Sequence, residues 1–366
     1  MITSIRGGPY ILTRRPFSGH LCPEPWTDPR VRTSLKLLRS NHYNIMVMNG
    51  LSLLFVLLAQ AVETDSSLFA DSMNLRTLAK WARANTHYII YDGQYAYAST
   101  LDKTISIIDV SVPDDPIEIG NLRVSNVPLG LAKKGQFLFA ALGDKGLCSI
   151  EITDPSIPEI VSCADTPDSA IIVWIQGNYA YVADGDSGIR VISIADPYNI
   201  KEVGFYDTKG FARSVVVYGK YAYVADGNEG LVILDVSNPS SPRFVNSLKL
   251  ESFANAVEVS GKYAYVAIGK DGVRVVDVSN PYDLKVVGHW TGPGAAIGVR
   301  VIGDKLTIGA ASGGVRLMDL KEQRELAHYR PPKYTRDYVF EVILFGNYLM
   351  AASRSGLIVY EYTSQN

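Results

Sequence analysis

Histidine and cysteine are scarce in this chain, five and three among 366 residues. Only His87, His289 and His328 lie past residue 61, and no two stand at metal-ligand spacing, which excludes centres built on paired histidines. An excess of positive charge is also missing. The formal net charge is −2, and the seven basic against two acidic residues ahead of position 62 leave the remainder more acidic still. Such a surface repels a phosphate backbone, so nucleic acid is not an expected partner. No helical period of useful length occurs past Thr86, which removes helix bundles and α/β layers from consideration. Apolar runs are short with one exception, Ile45 to Val62, which nearly reaches the ~20 residues a membrane-spanning helix requires.

That exception has the layout of a secretory signal peptide. Lys36 and Arg39 precede a hydrophobic core at 51–59, and Ala59-Gln60-Ala61 forms a small-x-small junction followed by polar residues from Glu63. Residues 1–61 are expected to be an N-terminal segment removed after Ala61, with 62–73 a linker and 74–366 the folded domain. The alternative is an uncleaved membrane anchor. The basic stretch is long for a leader beginning at Met1, which raises a start near Val31 or Leu35 as a further reading. Removal of the segment takes Cys22 with it and leaves Cys148 and Cys163, nearly symmetric about the Asp154-Pro155 turn. Antiparallel strands on either side would set the two side by side, either as a cross-strand disulfide in an oxidising compartment or as two half-buried thiols.

What the chain does have is a repeat of about forty-two residues. Gly93, Gly135, Gly177, Gly219, Gly261 and Gly303 fall at one interval, as do Gly146, Gly188, Gly230, Gly272, Gly314 and Gly356. In the copy from Ala170 to Asp207, the turns Gly177-Asn178, Asp184 to Gly188 and Asp196-Pro197 separate four short runs of strand character. Four strands in some forty residues, with no helix to cover them, predict an all-β, seven-bladed β-propeller of four-stranded antiparallel blades. Six copies are complete. The seventh, from Val339, stops after its third strand, and Asn74 to Trp81 resembles the missing fourth strand, so the ring is expected to be closed by strands from both termini. A six-bladed ring is the alternative.

Gly230-Leu231-Val232-Ile233-Leu234-Asp235-Val236-Ser237-Asn238-Pro239, with related forms at Gly272 to Pro281 and Ile105 to Val110, resembles the LVIVD repeat family. The resemblance implies a β-propeller, typically exported or at the cell surface, with no well-defined biochemical activity.

Candidate chemistry is sparse. Gly185-Asp186-Ser187-Gly188 resembles a serine-protease nucleophile segment, but the place of Ser187 is taken by Lys145, Glu229 and Asp271 in other copies, which marks a turn position. Acidic turns at Asp144, Asp184, Asp186, Asp226, Glu229 and Asp271 make calcium the one conceivable ion, against turn chemistry as the simpler account; otherwise no cofactor is expected. The acid column Asp109, Glu151, Asp235, Asp277, Asp319 and Glu361 reads as capping of the turn after each third strand. The tyrosine pairs 95/97, 179/181, 221/223 and 263/265 read as packing between blades.

Two groups remain. His87, Arg213, Asn255, Glu258, Arg300, Trp174 and Glu341 interrupt innermost-strand columns that are otherwise apolar or small, which places them along the channel. Arg330, Lys333, Tyr334, Arg336 and Tyr338 lie in a long, proline-stiffened loop on the face where ligands of such rings usually sit. Together these predict a non-enzymatic exported or cell-surface propeller, periplasmic or extracellular, that binds a protein or glycan. The alternatives are a channel-mouth hydrolase or lyase using Arg213, Glu258, Arg300 and His87, and a structural surface-layer module. Membrane contact is expected only through an uncleaved N-terminal segment.

Overall fold

Each repeat turns where glycine permits it and pairs where its side chains alternate. The computed structural model describes residues 36–40, 43–47, 71–81 and 85–363. In the third blade Ile172–Gln176, Tyr179–Ala183, Ile189–Ser193 and Lys201–Tyr206 pair in that order, all antiparallel. Gly177 opens the first turn at φ 59, a left-handed conformation that an L side chain adopts only with strain. A bulge in the outer pair, between Val191 and Ile192, recurs between third and fourth strands in every blade and adds twist.

The aromatic-alanine alternation has a packing cause. Tyr181 on one face of the third blade's second strand packs into a cluster with Ala222 and Val224, which lie on the facing side of the fourth blade. Tyr223 in turn meets Ala264 and Val266 of the fifth. A bulky face against a small face fills these gaps. The outer strands use glycine for the same purpose: a Cβ on Gly120 would lie 2.1 Å from the Pro155 carbonyl oxygen of the next blade, and one on Gly204 2.3 Å from that of Pro239. The aspartate-proline and asparagine-proline turns thus dock on the preceding blade.

Seven blades form the ring, and the innermost strand of the seventh, Val339–Phe345, contacts that of the first, Thr86–Tyr91. The six-bladed alternative is excluded. The seventh blade is completed by Leu75–Trp81, which pairs with Gly356–Tyr362 in a register running from Tyr362 opposite Leu75 to Leu357 opposite Trp81. Immediately before it, Asp71–Met73 adds a fifth strand to the sixth blade by pairing with Arg324–Arg330. The end of the expected linker is therefore a strand. Asn74, at φ 57, redirects the chain from one blade to the next, and its Nδ2 donates to the Leu326 carbonyl at 2.7 Å.

The chain divides into two compact units, Met1–Asp65 and Ser66–Asn366. In the first, Lys36–Ser40 and Tyr43–Val47 form an antiparallel hairpin. The expected leader core at 51–59, the Ala61 junction, Cys22 and the alternative starts at Val31 and Leu35 lie outside the described residues. Among the described residues no helix is long and apolar enough to cross a membrane.

Candidate functional site

One residue from the start of each innermost strand points to a common place. His87, Leu129, Ile171, Arg213, Asn255 and Ile297 follow at forty-two-residue steps and Phe340 comes one residue late; all seven line a single cavity of about 70 Å³ at one mouth of the channel. This is the face of the loops that join fourth to first strands, because Ala212 and Ala254, just before Arg213 and Asn255, bridge to Gly185 and Gly227 in the second-to-third-strand turns. Apolar residues are the default at this level, and His87, Arg213 and Asn255 depart from it.

Arg213 is partly buried, and burial lowers its pKa. Among the described residues no carboxylate lies within ion-pairing distance of it. His87 packs against Phe340 with ring centroids 4.9 Å apart, and Phe340 against Tyr338 at 5.2 Å. Burial, then the field of Arg213, lowers the His87 pKa from 6.5 to about 4, opposed by a hydrogen bond to the Leu129 backbone. The imidazole is therefore neutral at physiological pH, and its Nδ1 is buried with no hydrogen-bond partner. Asn255 donates from Nδ2 to the Phe253 carbonyl at 3.1 Å.

A depressed histidine pKa has a signed consequence. Between 6.5 and about 4 the unfolded chain binds a proton that the folded chain refuses, so the contribution of His87 is whole above pH 6.5 and is lost as pH falls towards 4. Relative to His87→Gln, the native chain should lose roughly 3 kcal/mol across that window. Denaturant melts of both proteins at pH 7, 5.5 and 4.5 measure the difference, and a difference that does not change with pH refutes the assignment.

Deeper in the channel the charges are paired. Arg300 donates from Nε to Glu341 Oε1 at 2.8 Å, lies 3.7 Å from Glu258 Oε2 through Nη1, and donates to the Tyr88 hydroxyl. Its guanidinium sits 5.3 Å from the Tyr88 ring centroid. One cation thus holds two buried carboxylates, and burial raises the pKa of both glutamates. The cluster joins four consecutive blades, the fifth, sixth, seventh and first. Glycine makes room for it, since a Cβ on Gly298 would approach Glu341 Oε2 to 2.9 Å. Tyr88, Trp174 and Arg300 line both the mouth cavity and a second, of about 410 Å³, at the opposite end, and so form the partition between them.

The four channel residues named for catalysis accordingly fall into two groups, Arg213 and His87 at the mouth, Arg300 and Glu258 in the partition. Of the long loop, Arg330 ends the sixth blade's fourth strand and Lys333–Thr335 forms a single 3-10 turn, with Lys333, Tyr334 and Arg336 exposed. Only Tyr338 of that set stacks on a mouth residue, Phe340; the Arg354 guanidinium lies over the Tyr338 ring, 6.0 Å from its centroid. Asp337 is fastened inward, accepting from the Ser355 amide at 3.1 Å.

Two of the acidic turns have their carboxylates engaged by the neighbouring loop that joins fourth to first strands. Asp184 accepts from Thr166 Oγ1 at 2.6 Å and the Asp168 amide at 3.1 Å, and Asp226 likewise from Thr208 at 2.6 Å and Gly210 at 3.0 Å. Asp109, Asp235 and Asp277 each accept from the amide two residues on. Among the described residues no group of three or more metal-ligating side chains converges. Cys148 and Cys163 stand directly opposite on paired strands, their sulfurs bonded at 2.00 Å. His289 lies exposed on an outer strand, and His328 lies 3.3 Å from Glu325. Sequence reasoning missed Phe340 and the role of Tyr88; stepping forty-two residues from His87 leads to the first to within one residue, whereas nothing local marks the second.

The LVIVD repeat family matches at residues 85–124, 130–166, 169–208, 209–249 and 253–291. No curated protein matches the chain. Among solved structures, the β-propeller domain of Cps50 (Swd1) from Myceliophteria thermophila is similar with a TM-score of 0.66 at 12% identity, over 79% of this chain and 100% of that one. The computationally designed Ika8 protein is similar with a TM-score of 0.58 at 11% identity, again over 79% and 100%. At these identities the likeness is one of fold.

Proposed function

We propose, from the premise that this chain belongs to the LVIVD repeat family, that it is a non-enzymatic propeller, exported and free or held at the cell surface, that binds a protein or glycan at the channel mouth. The observation that carries the reading is the ring of seven: four blades supply the apolar default, whereas His87, Arg213 and Asn255 bring polar groups to a cavity open on the loop face. Arg213 without a carboxylate and His87 Nδ1 without a partner are unmet valences of the kind a ligand satisfies. The Cys148–Cys163 bond suits an oxidising compartment and supports export. Against an enzyme stands the engagement of both Glu258 and Glu341 by Arg300.

Peptide and glycan arrays probed with the native chain and with Tyr338→Ala test the binding reading. At least one feature should lose tenfold or more in the variant, because Tyr338 holds Phe340 at the rim; arrays without any feature that depends on the mouth refute it. Intact mass of the chain from its native cell tests export, with a start at Val62 expected and a chain retaining 45–62 counting for the tethered form.

A further inference from the structure

Arg213 is the group at the mouth that the fold itself does not use. Its counterparts one blade back and two blades on are Ile171 and Ile297, so the architecture asks for an aliphatic side chain there. In its place stands a guanidinium that burial disfavours and that no carboxylate among the described residues neutralises. A partly buried cation without a partner costs stability, and it recovers that cost when an anion arrives. This contrasts with Arg300 a little deeper, which is saturated by two glutamates and a tyrosine.

We propose that the mouth takes the carboxylate of an aspartate or glutamate side chain in an acidic peptide, docked on Arg213. The inference rests on the mouth-binding reading above and names its ligand. Three observations select the chemistry. Arg300 also lines the cavity but is already held by Glu258 and Glu341, so Arg213 is the guanidinium left to offer its planar fork to the two oxygens of one carboxylate, and the neutral His87 and Asn255 beside it add no charge for a dianion such as phosphate. The aliphatic walls, Leu129, Ile171 and Ile297, suit a methylene arm. The cavity, about 70 Å³, has room for a carboxylate on a short arm. Bound there, the carboxylate accepts two N–H bonds from Arg213 while the rest of the peptide lies across the Phe340 and Tyr338 rim.

The test uses the full chain and two probes, acetyl-Ala-Glu-Ala-amide and the same peptide with Gln in place of Glu, with methyl glucuronide as a third. Titration calorimetry should show the Glu peptide binding at least tenfold tighter than the Gln peptide, and Arg213→Met should abolish that preference. Arg213→Met should also melt no lower than the native chain, since it restores the aliphatic default; Arg213→Gln serves as a second variant should Met disturb folding. Equal binding of Glu and Gln peptides, or a preference that survives both variants, overturns the proposal, and so does glucuronide binding through Arg213 in the absence of peptide binding. Array capture lost in Tyr338→Ala but kept in Arg213→Met leaves the mouth-binding reading standing and sinks this one. A Glu preference that depends on Arg213 upholds both, because Arg213 lines the mouth.

Discussion

Replacing Arg300 with methionine is expected to lower stability by about 3–5 kcal/mol, the usual result of removing one partner from a buried ion pair. The reason is arithmetic of charge. Glu341 and Glu258 have side chains only 8% and 10% exposed, and Arg300 is the cation that faces both. Without it, two buried carboxylates lose their cation and the Tyr88 hydroxyl loses its donor. The loss should carry a pH signature. A carboxyl whose folded pKa is raised above the ordinary 4.5 binds more protons folded than unfolded, so its contribution is whole below pH 4.5 and is lost as pH rises through the raised value. Arg300→Met should therefore recover part of its deficit on acidification, and the triple variant with Glu258→Gln and Glu341→Gln should recover most of it at pH 7. Chemical melts of the three proteins at pH 7 and 5 measure this. A loss under about 1 kcal/mol at pH 7, or no rescue by the glutamines, refutes the cluster as a structural tie.

Starting the chain at Ala82 rather than Ser66 should have a larger effect still. The shorter form lacks Leu75–Trp81, and the seventh blade is left with three strands and a bare edge along Gly356–Tyr362. Leu75 is buried, and Leu78, Ala79 and Trp81 pack on the clusters that bind the seventh blade to its neighbours. At about 1.5–3 kcal/mol for each large apolar side chain removed, the deficit is on the order of 5 kcal/mol, comparable with the whole stability of a typical domain. The exposed edge also invites pairing with other chains. Size-exclusion chromatography should show a monomer for the form beginning at Ser66 and aggregates for the form beginning at Ala82. A peptide of residues 71–81 added during refolding should restore monomer. A stable monomer without the strand would show that the ring does not depend on its closure.

How far the chain could be read from residues alone varies by feature. The blades were legible because glycine spacing and tyrosine-alanine alternation are both local and both recur. Closure was legible for the same reason, since Asn74 to Trp81 carries the mark of a fourth strand with no first strand before it. The mouth ring was legible as a column, but Phe340 escaped because the long loop ahead of it shifts the seventh copy by one residue. Asp71–Met73 was hidden for lack of length: three residues carry no period, and their pairing depends on a blade more than two hundred residues away. The Arg300 cluster was visible only as unusual residues near the channel. Its partners are set by the ring, and Tyr88 and Arg300 are 212 positions apart. Cys148 and Cys163 left two readings open because only the register of their strands puts one opposite the other.

The pairing of Leu75 with Tyr362 also sets a timetable for synthesis. At ribosomal speeds of about 5–20 residues per second, the first half of that pair waits on the order of 15–60 s for the second. During that interval six blades can form in sequence, yet the ring stays ajar and the seventh cannot be sealed. Until its last strand arrives the chain is an open array whose seventh sheet lacks its outer partner, so the interval of synthesis is also the interval in which a bare edge can meet another chain.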